Sequence, residues 1–223
     1  MTLRPSSPPS IPILTSIADL ASSREAWLTD IWGVMHNGVE PFETACQACA
    51  RFRASGGTVL LLSNAPRPSA SVIAQLDRIG VPRSAWDTVL TSGDAARALV
   101  GVYAGKRIFH LGPERDLPLY EGLDITLVAT AGEADVASCT GLFNDEVETP
   151  DDYASLLAEL AARQVPMTCA NPDLTVERGN KIIHCAGALA AEYVKLCGSD
   201  AYAGKQHLPV YDKAFDMQRA LKG

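Results

Sequence analysis

The chain has 223 residues, 47% of them hydrophobic and 20% charged, which suits one larger domain or two modest ones with a substantial core. This balance excludes wholesale intrinsic disorder. The formal net charge is −7, which argues against a nucleic-acid partner, because such a surface needs clustered lysine and arginine. No apolar run in the sequence reaches the length of a membrane span, so we expect no membrane partner either.

Residues 1–24 are interpreted as an N-terminal tail followed by a short helix. The opening stretch MTLRPSSPPSIP is rich in proline and serine and lacks the apolar centre of a secretory signal peptide. The six cysteines fit a reducing compartment, so we expect a cytoplasmic protein.

Cys46 and Cys49 form a C-x-x-C pair, which could indicate redox or zinc chemistry. The pair lies within ETACQACARFRAS, which predicts the middle of a helix with small residues on one face. No second C-x-x-C and no nearby histidine completes a zinc tetrad. We therefore interpret the pair as buried small residues.

Strand and helix patterns alternate through the first half. One strand ends near Asp30, the apolar run TVLLLSNAP predicts a strand buried on both faces, and WDTVLTSGDAARALVGVYAG predicts a strand, a turn and a helix. Helices are predicted over TACQACARFRASGG and RPSASVIAQLDRIGV, each closed by glycine. The alternation predicts an α/β fold with a doubly wound parallel sheet.

The second half of the sequence repeats the alternation of strands and helices, with different turn residues between them. Strands are predicted in KRIFHLGP, ITLVAT, ASCTGLF and VPMTCANPD, and helices in TPDDYASLLAELAARQ and HCAGALAAEYVKLCG. We expect a separate small α/β module over residues 104–203. It would be inserted into a first domain formed by residues 25–103 and 204–223.

Three candidate sites lie at strand ends or in nearby loops: Asp30, the pair Ser63 and Asn64, and the loop around Lys205. Taken singly each is weak, because aspartate, serine and asparagine are ordinary turn or capping residues. Together they suit phosphate chemistry. An aspartate nucleophile needs a fixed carboxylate, a cation such as Mg²⁺, and donors for the phosphate oxygens.

The sequence resembles the haloacid dehalogenase superfamily, class IIA, the branch that contains NagD-like and p-nitrophenylphosphatase-like hydrolases. The matching pieces are DIWGVMHNG, LLLSNAPRP, TSGDAA, TCANPD and CAGALAAEYVKLCG leading into GKQHLPVYDKAF. The resemblance implies a Rossmann-like core with an inserted α/β cap of the C2 type over residues 104–203. It also implies Mg²⁺-dependent hydrolysis of a small phosphorylated metabolite, such as a sugar or nucleotide phosphate, and a homodimer.

The resemblance also assigns residues. Asp30 matches the nucleophile and a metal ligand, and the backbone carbonyl of Trp32 matches a second metal ligand. Ser63 matches the hydroxyl that holds the phosphate, and Lys205 matches the lysine of the third motif. The expected substrate-binding residues are Asn64 beside Ser63 and the cap loop with Asn171, Pro172 and Asp173.

Two departures from the family pattern change these expectations. The family's general acid/base is an aspartate where this chain has Trp32, and such catalysis is worth about 10²–10⁴-fold. His36 or a water could substitute, although a histidine here is more often a packing residue. A fourth, acidic motif is expected after residues 212–222, whereas the sequence ends at Gly223, so we expect weak Mg²⁺ binding and a core sheet short of a strand.

Two rival hypotheses stay open beside the phosphatase. The chain could be a catalytically impaired protein that binds a phosphate ligand or has a regulatory role, and Trp32 favours this hypothesis. Alternatively, it could be a truncated form of a longer phosphatase. Among the remaining polar residues, His110 is interpreted as a packing residue. Glu177, Arg178 and Lys181 would either contact substrate from the cap or form a solvated polar loop.

Overall fold

The computed structural model describes residues 13, 16–205 and 208–222, and strands and helices alternate along most of this length. The predicted tail over residues 1–12 lies outside the described residues. The first half contains α1 (Ala18–Ala21), β1 (Ala26–Asp30), α2 (Glu43–Ala54), β2 (Thr58–Ser63), α3 (Ser69–Ile79), β3 (Thr88–Thr91) and α4 (Ser92–Gly101). The second half contains β4 (Arg107–Leu111), β5 (Thr126–Val128), β6 (Val136–Cys139), α5 (Ala154–Ala162), β7 (Met167–Cys169), β8 (Thr175–Arg178), β9 (Lys181–His184), α6 (Ala186–Lys195), β10 (Asp200–Tyr202) and α7 (Leu208–Lys222).

A three-stranded parallel sheet in the order β1-β2-β3 carries the first set of candidate residues. All six residues of the central strand β2 are buried, as its unbroken apolar run predicts. In the register, Asp30 pairs with Leu62 and Ser63 pairs with Thr91. Because parallel strands end at the same edge, Asp30 and Ser63 emerge side by side.

Helices cover both faces of this sheet because successive side chains of β2 point to opposite faces. Val59 and Leu61 pack with residues of α2 and α3, including Phe52 and Leu76. Leu60 and Leu62 pack on the other face against α7, through Val210 and Ala214. The C-terminal helix therefore returns to the first sheet.

A second parallel sheet has five strands in the order β10-β7-β6-β4-β5. Helices α5 and α6 pack on one face, and α4 packs on the other together with the 3-10 helix Glu114–Tyr120. Two helix-covered parallel sheets confirm the predicted class, a Rossmann-like core with an α/β cap. The domain boundaries at residues 103/104 and 203/204 stay a prediction.

Two local features differ from the sequence analysis. Glu177, Arg178 and Lys181 do not form a loop, because β8 and β9 pair as an antiparallel hairpin. Its turn contains Gly179 at φ +59, and the glycine–asparagine pair at residues 179–180 is the hairpin signal in the sequence. No turn separates β3 from α4, because Thr91 ends the strand and caps the helix in a capping box with Asp94.

The cysteines pack as predicted. Cys46 and Cys49 lie on α2, and both side chains are buried. Of the six cysteines, only Cys197 is exposed, and all six are free thiols. Among the described residues, no helix combines the length and apolar character needed to cross a bilayer.

Candidate active site

A cleft of about 210 Å³ opens at the carboxyl ends of β1 and β2. The predicted site residues that line it are Asp30, Trp32, Ser63, Asn64, Asn171, Asp173 and Lys205. These residues come from four separate stretches of the chain. The structure therefore brings together side chains that are up to 175 positions apart, the separation of residues 30 and 205 in the sequence.

Asp30 and Lys205 form an ion pair in the cleft. The Nζ atom of Lys205 lies 2.8 Å from Oδ1 of Asp30, and the two side chains are 23% and 40% exposed. The same carboxylate oxygen accepts a hydrogen bond of 2.7 Å from the Ile31 backbone N–H. These contacts fix the orientation of the carboxylate and leave part of it open to the cleft.

Ser63 presents a hydroxyl group next to this pair. The side chain is 6% exposed, yet it lines the cleft. Its Oγ accepts a hydrogen bond of 3.1 Å from the Ala65 backbone N–H. Because the oxygen serves as an acceptor, the hydroxyl hydrogen can be donated to an anionic oxygen in the cleft.

Asn64 joins four segments around the cleft. Its Oδ1 accepts hydrogen bonds from the Lys205 backbone N–H at 2.8 Å and from the Ser92 hydroxyl at 3.1 Å. Its Nδ2 donates to Oδ1 of Asp173 at 2.9 Å. Both ends of the amide thus hold protein groups in place, and the expected contact of Asn64 with substrate stays a prediction.

Asn171 and Asp173, from the loop of residues 171–173, line the cleft, and their expected contact with substrate stays a prediction. Oδ1 of Asn171 accepts a hydrogen bond of 3.0 Å from the Asp173 backbone N–H, which closes a local turn. Helix α6 packs directly beneath, because a Cβ atom at Gly187 would lie 2.3 Å from the Pro172 carbonyl oxygen. Only glycine at that position allows the loop to sit where it does.

We predict that Gly187→Ala displaces this loop and destabilises the fold by about 1–3 kcal/mol, because the added methyl group meets backbone atoms that cannot rotate away. Gly101→Ala is the matched control, since Gly101 is also helical and has no atom within 4 Å of the added Cβ. Thermal unfolding of both variants is the measurement. Alanine is favoured over glycine inside a helix, so Gly101→Ala should unfold at or above the temperature of the parent chain. A Gly187→Ala variant that unfolds at the same temperature as Gly101→Ala would contradict the prediction.

Trp32 connects the loop after β1 to the β8–β9 hairpin. Its indole N–H donates a hydrogen bond to the Glu177 carbonyl oxygen. The ring also covers Gly38, which has φ +93 and where a Cβ atom would lie 2.8 Å from Cη2 of Trp32. Trp32 therefore bridges two parts of the cleft wall.

His36 packs beneath Trp32. It is 1% exposed, and its Nδ1 accepts a hydrogen bond of 2.9 Å from the Gly38 backbone N–H. Burial, helped by the charge of Arg67, lowers the pKa of His36 below its ordinary value. These contacts favour the packing interpretation over a substitute acid.

His110 likewise packs, with Nε2 at 3.0 Å from the Thr140 hydroxyl and a pKa lowered by burial to about 4.

Arg178, for which a substrate contact was one of the two interpretations, lines the cleft. Four further charged residues of the cleft were not predicted from the sequence, namely Arg67, Arg115, Asp116 and Asp145. Arg67 directly follows the SNAP stretch, and this position was a usable signal. The others come from the second half of the chain, where nothing in their spacing points to the cleft.

The oxygen atoms available for a divalent cation are few. Asp30 supplies one carboxylate, and no backbone N–H of the described residues donates to the Trp32 carbonyl oxygen. No group of three acidic, histidine or cysteine side chains suited to a metal occurs among the residues that the structure describes. Mg²⁺ in proteins often uses one or two carboxylates and completes its shell with water and phosphate. The two oxygens fit that pattern and predict weak binding.

Comparisons with known proteins identify the family. Residues 27–126 match the sequence model of the haloacid dehalogenase-like hydrolases. A haloacid dehalogenase-like family hydrolase from Brucella suis 1330 is 47% identical, with a TM-score of 0.92 over 95% of this chain and 77% of that one. The comparison with curated proteins returned no match.

Two more distant structures share the fold. A p-nitrophenyl phosphatase from Archaeoglobus fulgidus is 16% identical, with a TM-score of 0.67 over 87% of this chain and 74% of that one. The glycerol phosphate phosphatase Rv1692 from Mycobacterium tuberculosis, in complex with magnesium, is 21% identical, with a TM-score of 0.67 over 90% of this chain and 60% of that one. Together with the hydrolase from Brucella, these findings confirm the resemblance seen in the motifs. The chain belongs to the haloacid dehalogenase-like hydrolases, in class IIA of that superfamily.

Proposed function

We propose that this chain is a phosphatase that hydrolyses small phosphorylated metabolites, such as sugar or nucleotide phosphates, through a phosphorylated Asp30. The observation that carries the proposal is the ion pair of Asp30 and Lys205 beside the Ser63 hydroxyl at one end of the cleft. A nucleophile, a cation and a hydrogen-bond donor are the groups that phosphoryl transfer needs. Membership of a hydrolase family supports the same reaction.

The proposed reaction begins with the phosphate group against Ser63 and Lys205. The Ser63 hydroxyl donates to one phosphate oxygen, and the Lys205 ammonium shifts from Asp30 toward another. Asp30 then attacks phosphorus in line, the bond to the leaving oxygen breaks, and that oxygen departs with the electron pair. A water molecule attacks the resulting phospho-aspartate, which releases phosphate and restores the carboxylate. A Mg²⁺ ion held by Asp30 and the Trp32 carbonyl would neutralise phosphate charge throughout.

The leaving group decides how well this reaction proceeds. We predict that p-nitrophenyl phosphate is turned over with a kcat/KM about 10²-fold above that of glycerol 3-phosphate. The nitrophenolate leaves without a proton, whereas an alkoxide needs one and the Trp32 indole does not supply it. Phosphate release should be measured with both substrates, in added Mg²⁺ and in excess chelator, and chelation should lower both rates. Fast and equal hydrolysis of both substrates would contradict the prediction.

A phosphate-binding protein without turnover is the second candidate, and Trp32 at the acid position favours it. In that case inorganic phosphate would bind in the cleft while neither substrate is hydrolysed. Calorimetry with inorganic phosphate, run beside the rate measurements, separates the two functions. A phosphorylated peptide containing Asp30, found by mass spectrometry after rapid quenching, would favour the phosphatase.

A further inference from the structure

Three guanidinium groups line a second part of the cleft, outside the Asp30–Lys205 pair. They belong to Arg67, Arg115 and Arg178, and the carboxylates beside them are those of Asp116 and Asp145. The formal charge of this group is therefore +1. The proposed hydrolysis uses none of these five side chains.

Asp145 is shared by two of the arginines. Nη2 of Arg178 lies 2.9 Å from Oδ2 of Asp145, and Arg115 pairs with the same oxygen. The Asp145 carboxylate is 10% exposed, so little solvent reaches it. Its single negative charge offsets one of the two guanidinium charges beside it. Arg178 makes a further pair with Glu146, whose side chain is 52% exposed.

Arg67 has weaker compensation. Its side chain is 22% exposed, and its Nε lies 3.8 Å from Oδ1 of Asp116, which is too long for a hydrogen bond. Its Nη2 donates to Gln75, and within the described part of the chain Nη1 has no acceptor. Burial lowers the pKa of Arg67, the Asp116 carboxylate opposes this shift in part, and the charges of neighbouring arginines, Arg115 and Arg178 among them, add to it. A desolvated cation with an unused donor is costly unless an anion meets it.

We infer that this part of the cleft binds a second anionic group of the substrate, so the preferred substrates are phosphate monoesters that also carry a carboxylate or a second phosphate. The inference rests on the proposed phosphatase function and narrows its substrate class. Guanidinium groups suit this role because their planar donors match carboxylate and phosphate oxygens. Arg67 is the anchor, and Arg115 and Arg178 add positive potential.

The test compares substrates that differ in one group. The first pair is 3-phosphoglycerate against glycerol 3-phosphate, and the second pair is fructose 1,6-bisphosphate against fructose 6-phosphate. We expect kcat/KM to be about 10-fold or more higher for the doubly anionic member of at least one pair. The pair that responds tells whether the second group is a carboxylate or a phosphate.

Variants assign the preference to Arg67. Arg67→Gln should lower the ratio of kcat/KM within the responding pair by about 10-fold, and Arg67→Lys should retain part of it. Arg107→Gln is the matched control, because Arg107 pairs with Asp135 on the surface outside the cleft, and its ratio should equal that of the parent chain. A parent ratio near one, or a ratio that Arg67→Gln leaves unchanged, would overturn the inference.

A separate binding measurement keeps this outcome distinct from the proposed function. If no substrate is hydrolysed, the phosphatase proposal fails, and calorimetry on the full chain still tests the subsite. The Asp30→Asn variant should then bind 3-phosphoglycerate or fructose 1,6-bisphosphate more tightly than its singly anionic counterpart. Equal affinities within both pairs would overturn the subsite independently of any turnover.

Discussion

Asp30→Asn should reduce phosphate release by about 10³-fold or more in kcat/KM. The amide is a poor nucleophile and lacks the charge that pairs with Lys205 at 2.8 Å and that a divalent cation needs. The measurement is the initial rate with p-nitrophenyl phosphate, because this substrate should give the higher parent rate and so allow a large decrease to be detected. Unfolding midpoints should be recorded beside the rates, so that a loss of activity is separated from a loss of folded protein.

The control for Asp30→Asn is the same chemical change at a surface position. Asp216 pairs with Arg219 one helical turn away, and both side chains are about three-quarters exposed, at 75% and 76%. Asp216→Asn should keep the parent rate. An Asp30→Asn protein that is folded and hydrolyses p-nitrophenyl phosphate at the parent rate would show that another group is the nucleophile.

Trp32→Asp should raise kcat/KM for glycerol 3-phosphate by about 10²-fold and change the rate with p-nitrophenyl phosphate much less. A carboxylic acid at this position gives a proton to the leaving alkoxide, and the resulting carboxylate activates the water that cleaves phospho-aspartate. The substitution also removes the hydrogen bond to Glu177 and the ring packed over Gly38. The increase in kcat/KM from the new acid must therefore exceed any decrease caused by the loss of these contacts to the hairpin and to Gly38.

Trp32→Asn isolates the chemical part of this effect. Asparagine has nearly the size of aspartate and removes the same indole contacts, but it neither gives nor takes a proton at neutral pH. We expect the asparagine variant to remain at or below the parent rate with glycerol 3-phosphate. Equal rates for the two variants would show that Trp32 does not occupy a position from which an acid can act.

The sequence predicts the sheets well because burial is encoded locally. The four consecutive apolar residues of β2, 59–62, and the left-handed glycine that ends α3, Gly80 at φ +93, are visible in the sequence itself. The convergence of Asp30 and Ser63 follows from the rule that parallel strands end at one edge. That Lys205 reaches the same edge follows from the family resemblance rather than from spacing.

The second half of the site is less visible in the sequence because it depends on tertiary contacts. Only Ile183 is buried among the residues of the hairpin strands β8 and β9, so no alternation of buried apolar residues distinguishes these strands from a loop. The hydrogen bond from Trp32 to Glu177 spans 145 positions. Arg67, Arg115 and Arg178 meet only because three separate segments line one cleft, and no local pattern records such a meeting.

The uneven exposure of the cysteines has a practical consequence. A folded chain offers an alkylating reagent one accessible thiol, Cys197, whereas an unfolded chain offers all six. Burial also raises the pKa of Cys139, Cys169 and Cys185, which keeps these thiols in their unreactive protonated form. The number of thiols alkylated per chain therefore reports the fraction of unfolded molecules. A fluorophore attached at Cys197 labels one defined position, just after the C-terminal end of α6.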